Sequence, residues 1–144
     1  MAEGISVRFR AGGRSMTPTI EDGEVLIVAP IAAPDVQVAD VVFCRTRSRS
    51  MAHRVLSVRR DAARAPRLTL CGDAALEIDG PVTAEQVHGR VVAIERAGRR
   101  IDLEVTAGFF GRLAVVAAFE LRRLLRRWRA RAWLGLLAPV RAAG

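Results

Sequence analysis

The first hundred residues consist of short apolar runs separated by turn-forming residues. Residues 5–9 alternate apolar and polar positions, and residues 25–29 form a continuous apolar run after the turn-like Glu21-Asp22-Gly23. Further runs lie at residues 41–44, 55–58, 68–71, 87–94 and 101–105. Many short runs rich in β-branched residues predict a mainly β fold, as an antiparallel sheet or a partly closed barrel.

The period of the pattern changes after Gly111. Apolar side chains then recur at three- and four-residue steps, at Leu113, Ala117, Leu121, Leu124, Leu125 and Trp128. Arginines occupy much of the opposite side, at Arg122, Arg123, Arg126, Arg127 and Arg131. This spacing predicts an amphipathic α-helix over residues 112–137, which Pro139 ends.

The charge of the chain follows the same division. All 23 basic residues are arginine, so mechanisms that require a lysine base or a Schiff base are excluded. The net charge is +8, of which residues 1–106 carry +1 and residues 107–144 carry +7, from eight arginines against Glu120. We therefore predict a nearly neutral β domain over residues 1–106 and a basic C-terminal helix over residues 107–144.

The basic helix has the composition of a helix that lies at a membrane surface. On this interpretation anionic lipid is a partner, and the membrane contacts are Arg122, Arg123, Arg126, Arg127, Trp128 and Trp133. Two alternatives stay open: the apolar stripe packs on the sheet and the arginines are solvated, or the arginines contact nucleic acid. Because the body is nearly neutral, the charge pattern favours lipid over nucleic acid.

No segment of the sequence predicts membrane insertion or export. The N-terminal residues lack the apolar core of a signal peptide, and the apolar run at residues 113–119 is far shorter than the ~20 residues of a transmembrane helix. We expect a cytoplasmic protein, peripheral to the inner face of the membrane. Cys44 and Cys71 are too few for a disulfide framework and are predicted to be small buried residues.

The candidate chemistry begins at Ser15. The flexible pair Gly12-Gly13 precedes this serine closely, and Pro18 restricts the chain after it. Backbone N–H groups in such a turn can converge on one point, which suits an exposed nucleophile beside an oxyanion site. The alternative is that Ser15 only caps a short turn.

Five segments in order resemble the type I signal peptidases and their serine-peptidase relatives. The first is Ser15-Met16-Thr17-Pro18-Thr19 with the following Gly-Glu-Val-Leu-Ile-Val strand. The others are Ala39-Asp40-Val41-Val42-Phe43, with alanine in place of the family's glycine; Ala52-His53-Arg54-Val55; Cys71-Gly72-Asp73-Ala74, with Asp79 beyond it; and Val87-His88-Gly89-Arg90-Val91-Val92. Together they span residues 12–95, and five ordered segments are more specific than any one of them.

The resemblance implies a serine nucleophile at Ser15 and a general base at His53, as in the archaeal and endoplasmic-reticulum type. It also implies that Asp79 or Asp73 orients His53; we favour Asp79 for this role and Asp73 as support for the turn at Gly72. The oxyanion and substrate-binding region would comprise Gly13, Arg14 and Met16, with donors from the Ser15 N–H and from residue 13. The alternatives are a solvent-facing His53 on an edge strand and two aspartates that only form turns.

The function that follows is a serine endopeptidase, which cleaves a leader or signal-like peptide at a membrane surface without a metal or cofactor. Family members usually carry an N-terminal membrane helix, which is not apparent before Ser15, and the basic C-terminal helix would replace it. Two other functions remain: an inactive relative that only binds peptides, and an adaptor that acts through the basic tail. His88 has no partner spacing for a metal and is predicted to lie at the surface.

Overall fold

The computed structural model describes residues 5–46, 49–61, 64–103 and 109–136. The predicted mainly β, antiparallel fold with one C-terminal helix is confirmed. The strands are β1 (Val7–Arg10), β2 (Val25–Ala29), β3 (Val41–Arg45), β4 (Ser50–Asp61), β5 (Arg64–Cys71), β6 (Asp79–Thr83), β7 (Val87–Arg96) and β8 (Arg99–Asp102). Two 3₁₀ turns (Ala33–Asp35 and Ala84–Gln86) and the helix α1 (Phe109–Leu136) complete the described elements.

The strands form one sheet in the order β1-β2-β7-β3-β4-β5-β6, and β8 pairs with β7. Every strand pair is antiparallel. In the part of the chain that the structure describes, β1 and β6 are not hydrogen-bonded to each other, so the sheet is open. The long central strand β7 joins the two halves because it pairs with both β2 and β3.

One strand was not predicted. Asp79-Gly80-Pro81, a strong turn signal, begins β6 and pairs with β5 with Asp79 opposite Leu70. A proline is tolerated here because β6 is an edge strand, where a missing backbone N–H breaks no ladder. The alternative in which Asp79 only forms a turn is therefore wrong, because pairing with β5 holds its backbone in a strand.

The core consists of two clusters of buried side chains. One lies beneath the Ser15 turn and comprises Met16, Ile20, Leu26, Val28, Val41, Val91 and Ile94. The other lies among β3, β4, β5, β6 and the residue that follows the first 3₁₀ turn. It comprises Val36, Val42, Cys44, Val55, Leu68, Leu70 and Val82. Because both clusters are made by residues of several strands, each strand supports the others through the apolar area that it buries.

Both cysteines are buried and unpaired, as predicted. Burial raises the pKa of the Cys44 thiol to about 11, and burial also raises the pKa of the Cys71 thiol. Both thiols are therefore protonated at neutral pH, and a protonated thiol is a poor nucleophile. Neither cysteine competes with Ser15 as a candidate nucleophile.

Helix α1 confirms the predicted C-terminal helix within three residues at its start. It contacts the sheet domain through buried Phe119 and through Arg112, whose guanidinium donates to Asp40 Oδ1 at 2.7 Å and to the Val38 carbonyl at 3.3 Å. The alternative in which the apolar stripe packs on the sheet is wrong, because Leu113 and Leu121 are more than half exposed. Among the described residues, no helix has the length and apolar character needed to cross a membrane.

Candidate active site

The turn that carries Ser15 is anchored on both sides, while Ser15 itself is exposed. Before it, Gly13 has a φ of +92°, a conformation that glycine adopts readily, and its N–H donates to Asp22 Oδ1 at 2.8 Å. After it, the N–H of Ile20 donates to the Met16 carbonyl at 3.0 Å, and both side chains are buried in the core. The turn therefore projects a hydroxyl from a backbone whose neighbours are fixed.

The loop after β5 packs directly against the backbone of Ser15. The Ala74 N–H donates to the Ser15 carbonyl at 2.8 Å. A Cβ placed on Gly72 would lie well inside contact distance of the Ser15 carbonyl oxygen and 3.0 Å from the Ser15 Cβ. Only glycine lets the two backbone segments approach this closely, so Gly72 sets the position of the nucleophile.

Gly72→Ala is expected to destabilise the protein and to move Ser15. Overpacking of this kind costs about 1–3 kcal/mol of unfolding free energy, and the atoms that must give way are backbone. Urea unfolding measures the stability, and the rate of labelling by a serine-reactive fluorophosphonate measures the position of Ser15. Gly80→Ala is the matched control, since a Cβ there meets nothing within 4 Å. Equal stability and equal labelling in the two variants would contradict this role for Gly72.

His53 lies between the serine and an aspartate. It is a β4 residue opposite Val42 of β3, and it is 5% exposed, so the alternative of a solvent-facing histidine is wrong. Its Nε2 lies 2.9 Å from Ser15 Oγ, and its Nδ1 is hydrogen-bonded to Asp79 Oδ2. This is the geometry in which an imidazole can take a proton from a hydroxyl while a carboxylate holds its other nitrogen.

Asp79 has a second partner that sequence reasoning missed. Its Oδ1 accepts a hydrogen bond from Arg49 at 2.6 Å, while its Oδ2 faces His53. The Asp79 side chain is 11% exposed and that of Arg49 is 59% exposed, so Arg49 covers the carboxylate from the solvent side. No sequence motif marked Arg49, because it lies in an arginine- and serine-rich segment. Its contact with Asp79 depends on the position of β6, which begins at Asp79.

Asp73 has a different role. Arg54 binds it through two hydrogen bonds, from Nε to Oδ1 at 2.8 Å and from a terminal nitrogen to Oδ2 at 2.6 Å, and the Thr19 hydroxyl also donates to it. Both members of this ion pair are largely buried. Arg54 also donates to the Ala39 carbonyl at 3.0 Å. Asp73 thus ties the loop after β5 to β4 and to the serine turn, and of the two aspartates only Asp79 contacts His53.

A cleft of about 490 Å³ opens beside Ser15 and His53. It lies between β1 and the first residues of β4, and its other lining side chains include Phe9, Met16, Ile20, Leu26, Phe43, Arg49, Met51 and Ala52. The rings of Phe9 and Phe43 stack at 4.4 Å in its wall. Of the predicted substrate-binding residues, Gly13 and Met16 line this cleft, whereas Arg14 is not among its lining residues.

Backbone edges also face this cleft. β4 pairs with β3 from Ser50 onward, but β5 joins its other side only from Arg54. In the described residues β1 pairs with β2 alone. A strand edge without a neighbour offers N–H and C=O groups to an extended peptide. The cleft can therefore hold a chain by its backbone while its walls contact the side chains.

The oxyanion donors differ in part from the prediction. The Gly13 N–H is already bound to Asp22, so residue 13 is not a free donor. The Ser15 N–H makes no hydrogen bond to any described residue and remains the donor that the turn can offer. Gly13 contributes instead through its backbone conformation, which presents Ser15.

The serine turn is also held from β7. Glu24, which is 9% exposed, accepts hydrogen bonds from Arg96 and from the Glu21 N–H, and Arg96 in turn donates to the Thr19 carbonyl at 3.2 Å. The hydrogen bond from Arg96 lowers the pKa of Glu24. This pair fixes the far end of the serine turn, and no sequence pattern indicated it.

Glu24→Gln tests the ionic clamp that Glu24 and Arg96 form, through the pH dependence of the unfolding free energy. Because the pKa of Glu24 is lower in the folded chain than in the unfolded chain, its stabilisation is complete above the ordinary glutamate pKa of about 4.3 and is lost as the pH falls through the folded value. We expect a lower urea midpoint than wild type at pH 7, and a difference that closes as the pH falls below about 4. Exposed Glu85→Gln is the control. A difference that stays constant with pH would contradict the ionic clamp.

His88 is exposed, as predicted. Within the described ranges, no group of three or more histidine, cysteine, aspartate or glutamate residues is placed to hold a metal ion.

Comparisons with protein-family models, with curated proteins and with solved structures give no match to this chain.

Proposed function

We propose that this protein is a serine endopeptidase in which Ser15 is the nucleophile, His53 the general base and Asp79 the residue that orients the base. The observation that carries the proposal is the continuous hydrogen-bonded series from Ser15 Oγ to His53 Nε2 at 2.9 Å and from His53 Nδ1 to Asp79. The series ends at an exposed serine that lines a cleft. A hydroxyl, an imidazole and a carboxylate in this order are the parts that acyl transfer requires.

The reaction proceeds in two halves. Ser15 Oγ attacks the scissile carbonyl carbon while His53 Nε2 accepts the hydroxyl proton, and the Ser15 N–H donates to the oxyanion that forms. His53 then gives the proton to the leaving amine, so that the C–N bond breaks and an acyl-serine remains. Water attacks this ester with His53 again as base, which releases the carboxylic acid and restores Ser15. Asp79 stabilises the imidazolium in both halves.

The order of the segments supports a signal-peptidase type of enzyme. The five segments that resemble that family form the serine turn, β3, β4, the loop after β5, and β7, and the first, third and fourth of them supply Ser15, His53 and the Ser15-binding loop. Residues of the first three segments line the cleft, and the fourth holds the Ser15 carbonyl through the Ala74 N–H. The substrate class that we infer is a leader or signal-like peptide, bound as an extended chain with a small residue before the cut.

The experiment is cleavage of a peptide library with small residues at varied positions, read by mass spectrometry, with the purified full chain and its Ser15→Ala variant. We expect cuts by the wild type after small residues and none by the variant. Binding of library peptides by both proteins without cleavage would support the inactive peptide-binding relative instead. Cuts that persist in Ser15→Ala would show that the nucleophile is assigned wrongly.

A further inference from the structure

The outward side of α1 carries a row of exposed apolar side chains. Each member is more than half exposed, and the row consists of Leu113, Leu121, Leu124, Leu125 and Trp128. Large apolar side chains scattered singly over a surface are ordinary, but five on one side of one helix form a continuous patch. Such a patch indicates a surface that is covered when the protein works.

The sheet domain holds the opposite side of α1, and it does so mainly through polar groups. Phe119 is buried, Arg112 is bound to Asp40, and Arg126 donates to the Ala74 carbonyl at 3.2 Å. The Arg123 side chain is only 11% exposed and pairs with Glu120 of the same helix. A rotation that turned the leucines inward would break these contacts. The apolar row therefore faces away from the protein.

Arginines flank this row on the exposed surface, at Arg122, Arg127 and Arg129. Residues 107–144 carry a net charge of +7, and their one acidic residue, Glu120, is already bound to Arg123. A second copy of the helix would bring like charges together. A nucleic acid would offer phosphates but no apolar phase for leucine and tryptophan. An anionic bilayer offers both, because its headgroups are negative and its acyl region is apolar.

We propose that α1 docks the protein flat on an anionic lipid surface, with the leucine row and Trp128 in the acyl boundary and the flanking arginines at the lipid phosphates. No described residue of α1 lines the cleft, so docking through α1 uses none of the cleft's side chains. The inner side of α1 contacts the Ala74 loop, whose N–H holds the Ser15 carbonyl, so the site and the docking helix form one unit. The proposal does not depend on peptidase activity.

The test is flotation of the full-length Ser15→Ala protein with vesicles of phosphatidylcholine alone and with vesicles that contain phosphatidylglycerol. We expect binding to the anionic vesicles that weakens with salt and is absent with the neutral ones. Leu121→Glu/Leu125→Glu should abolish binding. Arg122→Gln/Arg127→Gln should lower the partition coefficient by about thirtyfold, from the contribution of a basic residue near an anionic surface. Arg59→Gln/Arg99→Gln, which makes the same change of charge at exposed positions of the sheet domain, is the control and should bind like the Ser15→Ala parent.

Two results would overturn the proposal: no binding to the anionic vesicles, and equal binding by the leucine variant and the control. If vesicle binding is absent, a dimer in sedimentation velocity that the leucine substitutions dissociate would identify a second copy as the occupant. Binding of a DNA duplex that survives the leucine substitutions and is lost with the arginine substitutions, in place of vesicle binding, would favour nucleic acid. Circular dichroism of each variant confirms that it folds.

Discussion

Alanine at both Ser15 and His53 is expected to reduce kcat/KM no further than alanine at either position alone. Each single variant should lose about 10⁴-fold or more, because residues that transfer one proton between them act as a unit. Without His53 the hydroxyl keeps its proton, and without Ser15 the imidazole has nothing to activate. The residual rate should come from binding and from the oxyanion donor, which both variants keep.

The measurement is kcat/KM on the best peptide that the library identifies, for wild type, the two single variants and the double variant. Ser6→Ala and His88→Ala are the matched controls. Ser6 is an exposed serine outside the cleft, and His88 is the other histidine of the chain. Both controls should stay within a few-fold of wild type. Losses that multiply in the double variant would mean that Ser15 and His53 act separately, and this would contradict the proposed mechanism.

Replacing each aspartate by asparagine is expected to affect activity at one position and stability at the other. Asp79→Asn should lower kcat by about 10⁴-fold with little loss of stability, because an amide at this position favours the wrong tautomer of His53. Asp73→Asn should instead lower the unfolding free energy by about 3 kcal/mol, because it leaves the buried Arg54 guanidinium without its counter-charge. Both residues are acidic and lie within one segment of the sequence, so the contrast isolates their contacts.

Activity and urea unfolding, measured on both variants at pH 7, decide between these roles. Rescue distinguishes them further: Arg54→Met should recover part of the stability in the Asp73→Asn background, because it removes the unpaired charge. It should recover no activity in the Asp79→Asn background. An active Asp79→Asn protein, or an inactive Asp73→Asn protein of unchanged stability, would overturn the assignment.

The local patterns of the chain predicted most of its elements. The apolar run at Val25–Ala29 became β2 without a change of bounds, and the three- and four-residue steps after Gly111 became α1. These features are local, since period 2 and period 3.6 are properties of a few consecutive residues. The sequence did not predict β6, because its residues are typical of a turn. They form a strand only by pairing with β5, a separate segment of the chain.

The candidate site divides in the same way. Ser15 and His53 stand out in the sequence, Ser15 by its glycine-rich turn and both by the ordered segments that resemble a peptidase family. The choice between Asp73 and Asp79 could not be made from spacing. It depends on which carboxylate the β5–β6 pairing brings to His53 Nδ1 and which one Arg54 binds. Arg49 gave no signal, since its role exists only beside Asp79.

By itself, then, the sequence determined that the chain is mainly β, that its charge lies in a C-terminal amphipathic helix, and that Ser15 and His53 are the candidate chemistry. These follow from residue type and from spacing along the chain. The tertiary structure decided three further points. Asp79 is the aspartate that binds His53, the Gly13 N–H donates to Asp22, and the leucines of α1 face outward. Each of these depends on distances between segments far apart in sequence, which only the packing of the sheet and the helix establishes.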